Sequence, residues 1–217
     1  MRFLHVFFLA VLVGTLLGCQ NSSPTTENTS IGEMDESTDS YSNPDFKPFY
    51  VYSDKGSRTN HFVPSGFMPN GKCIEFKDSW LKNCKSGKTC LKIEYDIECS
   101  REDQKWAGIF WLNPANNWGQ RKGGFNLTKA KRLSFWARGE NGGEQIEEFK
   151  IGGITGNYPD TDTAVIGPVI LSNEWRKYTI DLRGKDLSYI SGGFAWSTNE
   201  EVNPESCTFY LDEIRYE

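Results

Sequence analysis

The chain has 217 residues, and its 24 Lys and Arg against 29 Asp and Glu leave a net charge of −5. Nucleic-acid partners demand a basic patch or stripe, so this balance argues against that class of function.

Chain order begins with a segment that is not part of the fold. Met1 and Arg2 give a short positive end, and Phe3 to Leu17 form an apolar run broken only by His5, Gly14 and Thr15. That is the pattern of a secretory signal over residues 1–18. A membrane-spanning helix needs roughly 20 apolar residues, and this run is shorter and gives way at once to polar sequence. It ends Leu16-Leu17-Gly18-Cys19, which resembles the bacterial lipobox. The resemblance implies cleavage before Cys19, lipid (palmitate among its acyl chains) on that cysteine, and a membrane lipoprotein. Gln20 rather than Asp follows, which in similar lipoproteins permits sorting to the outer membrane and cell surface.

Residues 19–45 hold Ser, Thr, Asn, Pro and acids with almost no large apolar side chain, too little to bury and fold. Glu27, Glu33, Asp35, Glu36, Asp39 and Asp45 stand there without a single Lys or Arg, and their repulsion extends the segment into a tether. Residues 46–217 then carry 23 of the basic and 23 of the acidic residues, so the expected folded domain is neutral. It is long enough for one domain with a real core.

Within that domain short apolar-alternating runs recur between Gly, Asn, Pro and Asp, and helical periodicity is nearly missing. The runs are 49–53, 74–77, 90–97, 105–112, 132–138, 147–152, 164–171, 176–182, 192–197 and 207–216. In the 132–138 run, Leu133, Phe135 and Ala137 alternate with Ser134, Trp136 and Arg138, giving one core face and one wetter face. Many aromatic-rich strands without intervening helices predict an all-β, antiparallel β-sandwich of jelly-roll type.

Of the cysteines left after Cys19, Cys84 and Cys90 bracket a turn-forming loop and make the preferred bridge, worth about 2 kcal/mol in loop entropy. Cys73 with Cys99 is the second expected pair, which leaves Cys207 as a buried thiol on the last strand. Zinc is not expected, because His61 is the only histidine outside the leader. No nucleophile elbow, zinc-protease helix or phosphate loop is present. His61 reads as structural. Glu147, Glu148, Asp160 and Asp162 keep a small glycoside hydrolase open as a weaker reading, since that chemistry needs only two carboxyls. Ordinary surface charge is the favoured reading of Glu147 and Glu148.

Seven tryptophans lie in the domain, three of them at 106, 111 and 118. A pyranose offers an apolar C–H face to an aromatic ring while its hydroxyls need amide, carboxylate or guanidinium partners. Asn113, Asn116, Asn117, Gln120 and Arg121 supply such groups nearby. Trp106 and Trp111 are five apart, so on one strand they face opposite ways and one belongs to the core.

The stretch from Trp106 to Gly119, then Leu133 to Glu140 with Gly142-Gly143-Glu144, Gly192-Gly193-Phe194, and the closing Phe209 to Ile214 resemble, in that order, the jelly-roll carbohydrate-binding modules of the galactose-binding-like superfamily. Family 11 and its relatives are the nearest likeness, over about 49–217. The resemblance implies two antiparallel sheets, a polysaccharide or glycan ligand, and one structural calcium with Asp212 and Asp54 as candidate ligands. For the glycan site it points to Trp136 and Arg138 on one strand, Lys150 beside Glu148 on another, Phe194 and Trp196 on a third, and Trp111, Trp118, Asn116 and Asn117. Trp80 and Trp175 read as core or loop packing. The expected function is a non-catalytic, membrane-anchored lipoprotein that binds carbohydrate at the cell surface. The alternative is an adhesin or envelope assembly subunit that binds protein through the same sandwich.

Overall fold

Period-two alternation puts successive side chains on opposite sides of a strand, and the structure uses both sides of nearly every run. The computed structural model describes residues 46–69, 71–99 and 104–217; Cys19, the 1–18 leader and the 19–45 tether lie outside the described residues. The strands are β1 (Phe49–Tyr52), β2 (Val63–Pro69), β3 (Ile74–Trp80), β4 (Cys90–Tyr95), β5 (Trp106–Leu112), β6 (Arg132–Gly139), β7 (Gln145–Ile146), β8 (Glu148–Gly152), β9 (Thr163–Ile166), β10 (Val169–Ile170), β11 (Arg176–Asp181), β12 (Gly192–Asn199) and β13 (Cys207–Tyr216). A 3-10 turn, Gly71–Cys73, leads into β3.

Two antiparallel sheets form the sandwich. One runs β11-β6-β13-β4-β3, with β1 added along the end of β13; the other runs β2-β5-β12-β8-β9. Between them lies one aromatic core. Phe135 of the first sheet meets Phe149 and Phe194 of the second at ring-centroid distances of 4.6 and 5.2 Å, and Phe209 meets Trp196 at 4.9 Å. Leu133, Phe135 and Ala137 all enter this core, as the alternation in β6 requires. Each large apolar side chain so buried contributes about 1.5–3 kcal/mol.

Two runs differ from expectation. β2 has Pro64, Gly66 and Pro69 within seven residues, poor strand formers that mask it in the sequence. As the end strand of its sheet it tolerates them, because a proline can turn its missing N–H to the open side. The 164–171 run is broken at Gly167-Pro168, and its halves join different partners: β9 pairs β8, and β10 pairs β7.

Both expected cystines are present. Cys73–Cys99 and Cys84–Cys90 have Cα separations of 5.3 and 5.4 Å, and Cys207 is a free, buried thiol pushed up to about 12 by its burial. His61 is structural in its setting, stacked on Phe49 at 3.9 Å and edge-on to Phe125, with burial lowering its pKa.

Candidate ligand-binding face

The residues named for a single groove are divided among three places. β6 carries Trp136 and Arg138 on the outer side of the six-stranded sheet, whereas β8 carries Lys150 and Glu148 on the outer side of the five-stranded sheet. Phe194 and Trp196 point between the sheets and are 0% exposed. Trp111, at 1% exposure, is core as well, so neither it nor Trp196 can stack on a ligand. Trp106 is the outward member of its pair, 40% exposed. Asn117 is also buried. Its Oδ1 accepts N–H bonds from Gln120 and Arg121, and its amide donates to the Arg121 carbonyl, which makes it the brace of the 113–124 loop.

On the five-stranded sheet, register lines up two rows of outward residues. Gly66, Phe110, Ala195, Lys150 and Val165 form one row across β2, β5, β12, β8 and β9; Met68, Gly108, Ser197 and Glu148 form the next. A third position pairs Trp106 with Asn199. Gly108 and Ala195 in the middle are small but covered: Ala195 packs with Phe110, Leu112 and Ile154 in a buried apolar cluster that Met68 adjoins, and a Cβ at Gly108 would meet Met68 Cε at 3.2 Å. Around this packed centre stand Lys150 and Glu148 on β8, Trp106 at one end and Trp118, over Phe110, at the other. Four residues of β5 separate the two ends, about 14 Å at strand rise.

Trp118 reaches this face because the 113–124 loop folds back over it. Its ring meets Phe110 edge-on at 5.9 Å, and a Cβ at Gly66 would come within 2.8 Å of its Cζ2. Glycine at 66 is what lets the indole lie on the sheet. The ring is still 38% exposed. Asn116, in the left-handed region at φ 58°, donates its N–H to Ser65 Oγ and leaves its side chain in solvent. The neighbouring 153–162 loop is tied on by Tyr158 N–H to Gly119 O, 2.9 Å, and brings an exposed Tyr158 to the same rim. Lys150 Nζ is 5.2 Å from the Phe110 ring centroid and 2.9 Å from Glu148 Oε1, so the face carries an ion pair with no excess charge.

The outer side of the six-stranded sheet is built differently. Lys92, Tyr210 and Arg138 are in register across β4, β13 and β6. Arg138 lies between Tyr210 and Trp175, its Cζ 3.8 and 5.4 Å from their centroids, and it is 7% exposed. Over Trp136 sits Lys85 Nζ at 3.7 Å. Lys85 belongs to the Cys84–Cys90 loop, which crosses this face and accepts the Trp175 indole N–H at Asn83 O, 2.8 Å.

Asp54 and Asp212 converge on that same loop. Asp212 Oδ2 accepts the N–H groups of Lys85 and Ser86, both at 3.0 Å, and its Oδ1 accepts that of Glu213. Asp54 Oδ1 accepts those of Lys88 and Thr89 at 2.8 and 2.7 Å. N–H groups thus bond both oxygens of Asp212 and Oδ1 of Asp54, which accounts for these carboxylates by the loop they hold. Among the described residues no cluster of three or more His, Cys, Asp or Glu is arranged for a metal. Burial pushes the Asp212 carboxyl up to about 7.

The four carboxylates considered for hydrolysis have structural partners. Asp160 accepts from Ser191 and Gly192 N–H and from Ile154 N–H, joining the 153–162 loop to β12. Asp162 accepts from Thr163 and Asp186 N–H and pairs with Lys185. Glu147 accepts from Gln145, and Glu148 pairs with Lys150.

Sequence reasoning missed Trp106, Ser197, Asn199 and Tyr158 as face residues. The five-residue spacing of Trp106 and Trp111 signalled that one points outward, but Ser197 and Asn199 carried no signal of their own.

No family model and no curated protein matches the chain. Among solved structures, a family 30 carbohydrate-binding module superposes with a TM-score of 0.53 at 16% identity, over 79% of this chain and 88% of that one. A second family 30 module gives 0.51 at 14% identity, over 79% and 99%. The family 11 module of a cellulosomal cellulase of Clostridium thermocellum gives 0.42 at 16% identity, over 66% and 80%. The described chain is an antiparallel jelly-roll β-sandwich, similar in fold to the family 30 carbohydrate-binding modules.

Proposed function

We propose that the domain binds carbohydrate without catalysis, on the outer face of the five-stranded sheet. One observation carries this: two exposed indoles, Trp118 and Trp106, stand at opposite ends of a face whose centre shows only Met68 and Ser197 over buried Gly108 and Ala195, with Lys150, Glu148 and Asn199 along its sides. Indoles stack on the apolar faces of sugar rings, and the flanking polar groups are of the kind that bonds hydroxyls. A flat apolar patch, as a protein partner prefers, would lack the ion pair and the flanking polar groups. The likeness in fold to carbohydrate-binding modules supports the same reading by analogy.

Cys19 is proposed to carry the lipid that attaches this module to a membrane, with residues 20–45 as its spacer at the cell surface. Among the described residues no helix is long and apolar enough to cross a membrane. Labelling cells with an alkyne-bearing fatty acid should mark the protein, and Cys19→Ala should remove the label; label surviving that change would refute the attachment.

For the ligand, a glycan array with the purified protein should give binding that drops at least about tenfold in Trp118→Ala and Trp106→Ala. Trp136→Ala, on the other sheet, should keep the binding of neutral glycans. A folded protein that binds no glycan overturns the proposal.

A further inference from the structure

The Cys84–Cys90 loop and the residues just before it concentrate positive charge on a domain that is neutral overall. Between Leu81 and Cys90 stand Lys82, Lys85 and Lys88 with no acid. Of the carboxylates beside the loop, Asp54 and Asp212 hold its backbone N–H groups and Glu213 bonds Ser86, while the three lysines are exposed. Against the opposing effect of burial, the backbone N–H groups of Thr89 and Lys88 hold the Asp54 carboxyl below its ordinary value, and the Lys88 charge is near enough to help. Negative charge is thus turned to the backbone and positive charge to solvent.

These cations do not stand alone. Lys85 Nζ lies 3.7 Å from the Trp136 ring, Lys82 Nζ 5.8 Å and Lys92 Nζ 4.8 Å from Trp80, and Arg138 is held between Tyr210 and Trp175. Trp80, Trp136 and Trp175 are only half-buried. The outer side of the six-stranded sheet is therefore a mosaic of aromatic rings and cations, in which Lys92 is paired with Glu94 and Arg138 faces Glu140 at 3.9 Å while the loop lysines stand toward solvent. Two N–H donors on it, Trp80 Nε1 and Arg138 Nε, are buried without an acceptor among the described residues. Unmet donors of that kind call for an acceptor.

We propose that this face is a second binding site, for an acidic polysaccharide whose carboxylate or sulfate groups pair with Lys82, Lys85 and Lys88 while its rings lie against the adjoining indoles. Cations alone attract any polyanion; the interleaved indoles select one built of sugar rings. The disulfide and the two aspartates hold the lysines in place before the ligand arrives, which lowers the ordering cost of binding. This site stands on residues separate from the Trp118 face and does not depend on it.

The test uses the full chain and four probes: polygalacturonate for carboxylate, dextran sulfate for sulfate, a neutral glucan, and double-stranded DNA as a polyanion without exposed sugar faces. One or both acidic glycans should bind, more weakly as salt rises, and which of them binds names the anionic group. The exposed triple change Lys82→Gln, Lys85→Gln, Lys88→Gln should lower that affinity at least about tenfold and leave the neutral glucan untouched. Trp118→Ala should do the reverse, which separates failure of one site from failure of the other. Trp136→Leu should weaken acidic-glycan binding more than DNA binding. Three results overturn the proposal: no binding of either acidic glycan by folded protein at low salt, a triple variant that binds them like the parent, or DNA that binds as tightly as they do with Trp136→Leu affecting neither.

Discussion

The two outer faces of the sandwich start from the same strand alternation and end as opposites. On the five-stranded sheet the outward positions in the middle are small and packed under Met68, and the loops stand at the ends, so exposed aromatic surface is concentrated at Trp106 and Trp118. On the six-stranded sheet the outward positions are large, and a disulfide-closed loop lies across them, so rings and cations fill the surface. The contrast teaches that the tryptophan count of a β domain says little about ligands. What separates Trp118 from Trp196 is the side of the sheet each falls on, and only that side decides between recognition and core packing.

The largest test of this contrast is the core itself. Trp196→Ala removes a fully buried indole packed on Phe209 and should cost about 3–5 kcal/mol. Thermal melts read the loss directly. A variant that melts like the parent yet loses ligand would return Trp196 to the binding face.

Next come the bridges. Removing Cys73–Cys99, with its sequence separation of 26, should destabilise by about 3.5 kcal/mol, and removing Cys84–Cys90, with a separation of 6, by about 2 kcal/mol. Chemical denaturation of the two double-alanine variants ranks them. If the short loop proved the costlier loss, its contacts with Asp54 and Asp212 would outweigh loop entropy.

Asp212 makes the loop-covered face sensitive to pH. Burial raises this carboxyl from 3.8 to about 7, so the folded state holds the proton more tightly than the unfolded chain. The sign follows: its contribution is fully present below pH 3.8 and is lost as pH rises to about 7. Asp212→Asn should abolish that decline. Subtracting urea midpoints of variant and parent at each pH cancels the other carboxylates, among them Glu217, which Ser134 and Arg132 hold below its ordinary value against the opposing effect of burial. A pH-independent difference would contradict the assignment.

The smallest expected effect on stability is at the Trp118 face. Trp118→Ala removes a ring that is 38% exposed and should change stability by no more than about 0.5 kcal/mol while removing neutral-glycan binding. A large drop in melting temperature would make Trp118 a structural plug over Gly66 and Phe110.

Much of the fold was legible residue by residue. Leu133, Phe135 and Ala137 declare a core face by alternation, the turn at Ser86-Gly87 declares the Cys84–Cys90 closure, and Trp106 with Trp111 declare one inward and one outward indole. β2 was hidden because Pro64, Gly66 and Pro69 suit an end strand that local propensity does not anticipate. The candidate groove was less legible. Trp136 and Lys150 each sit outward on their own strands, yet the strands belong to different sheets.

By itself, then, the amino-acid sequence determined the strand content, the two faces of each strand and the charge of each segment, because these depend on neighbours within a few residues. Which strands share a sheet, and so which side chains share a surface, was decided by the tertiary structure alone. Pairings such as β5 with β12 join residues some ninety positions apart, and no local pattern along either strand encodes its partner. The same holds for Asp54 and Asp212: both carboxylates were visible, but only the folded chain turns them toward the backbone N–H groups of one loop.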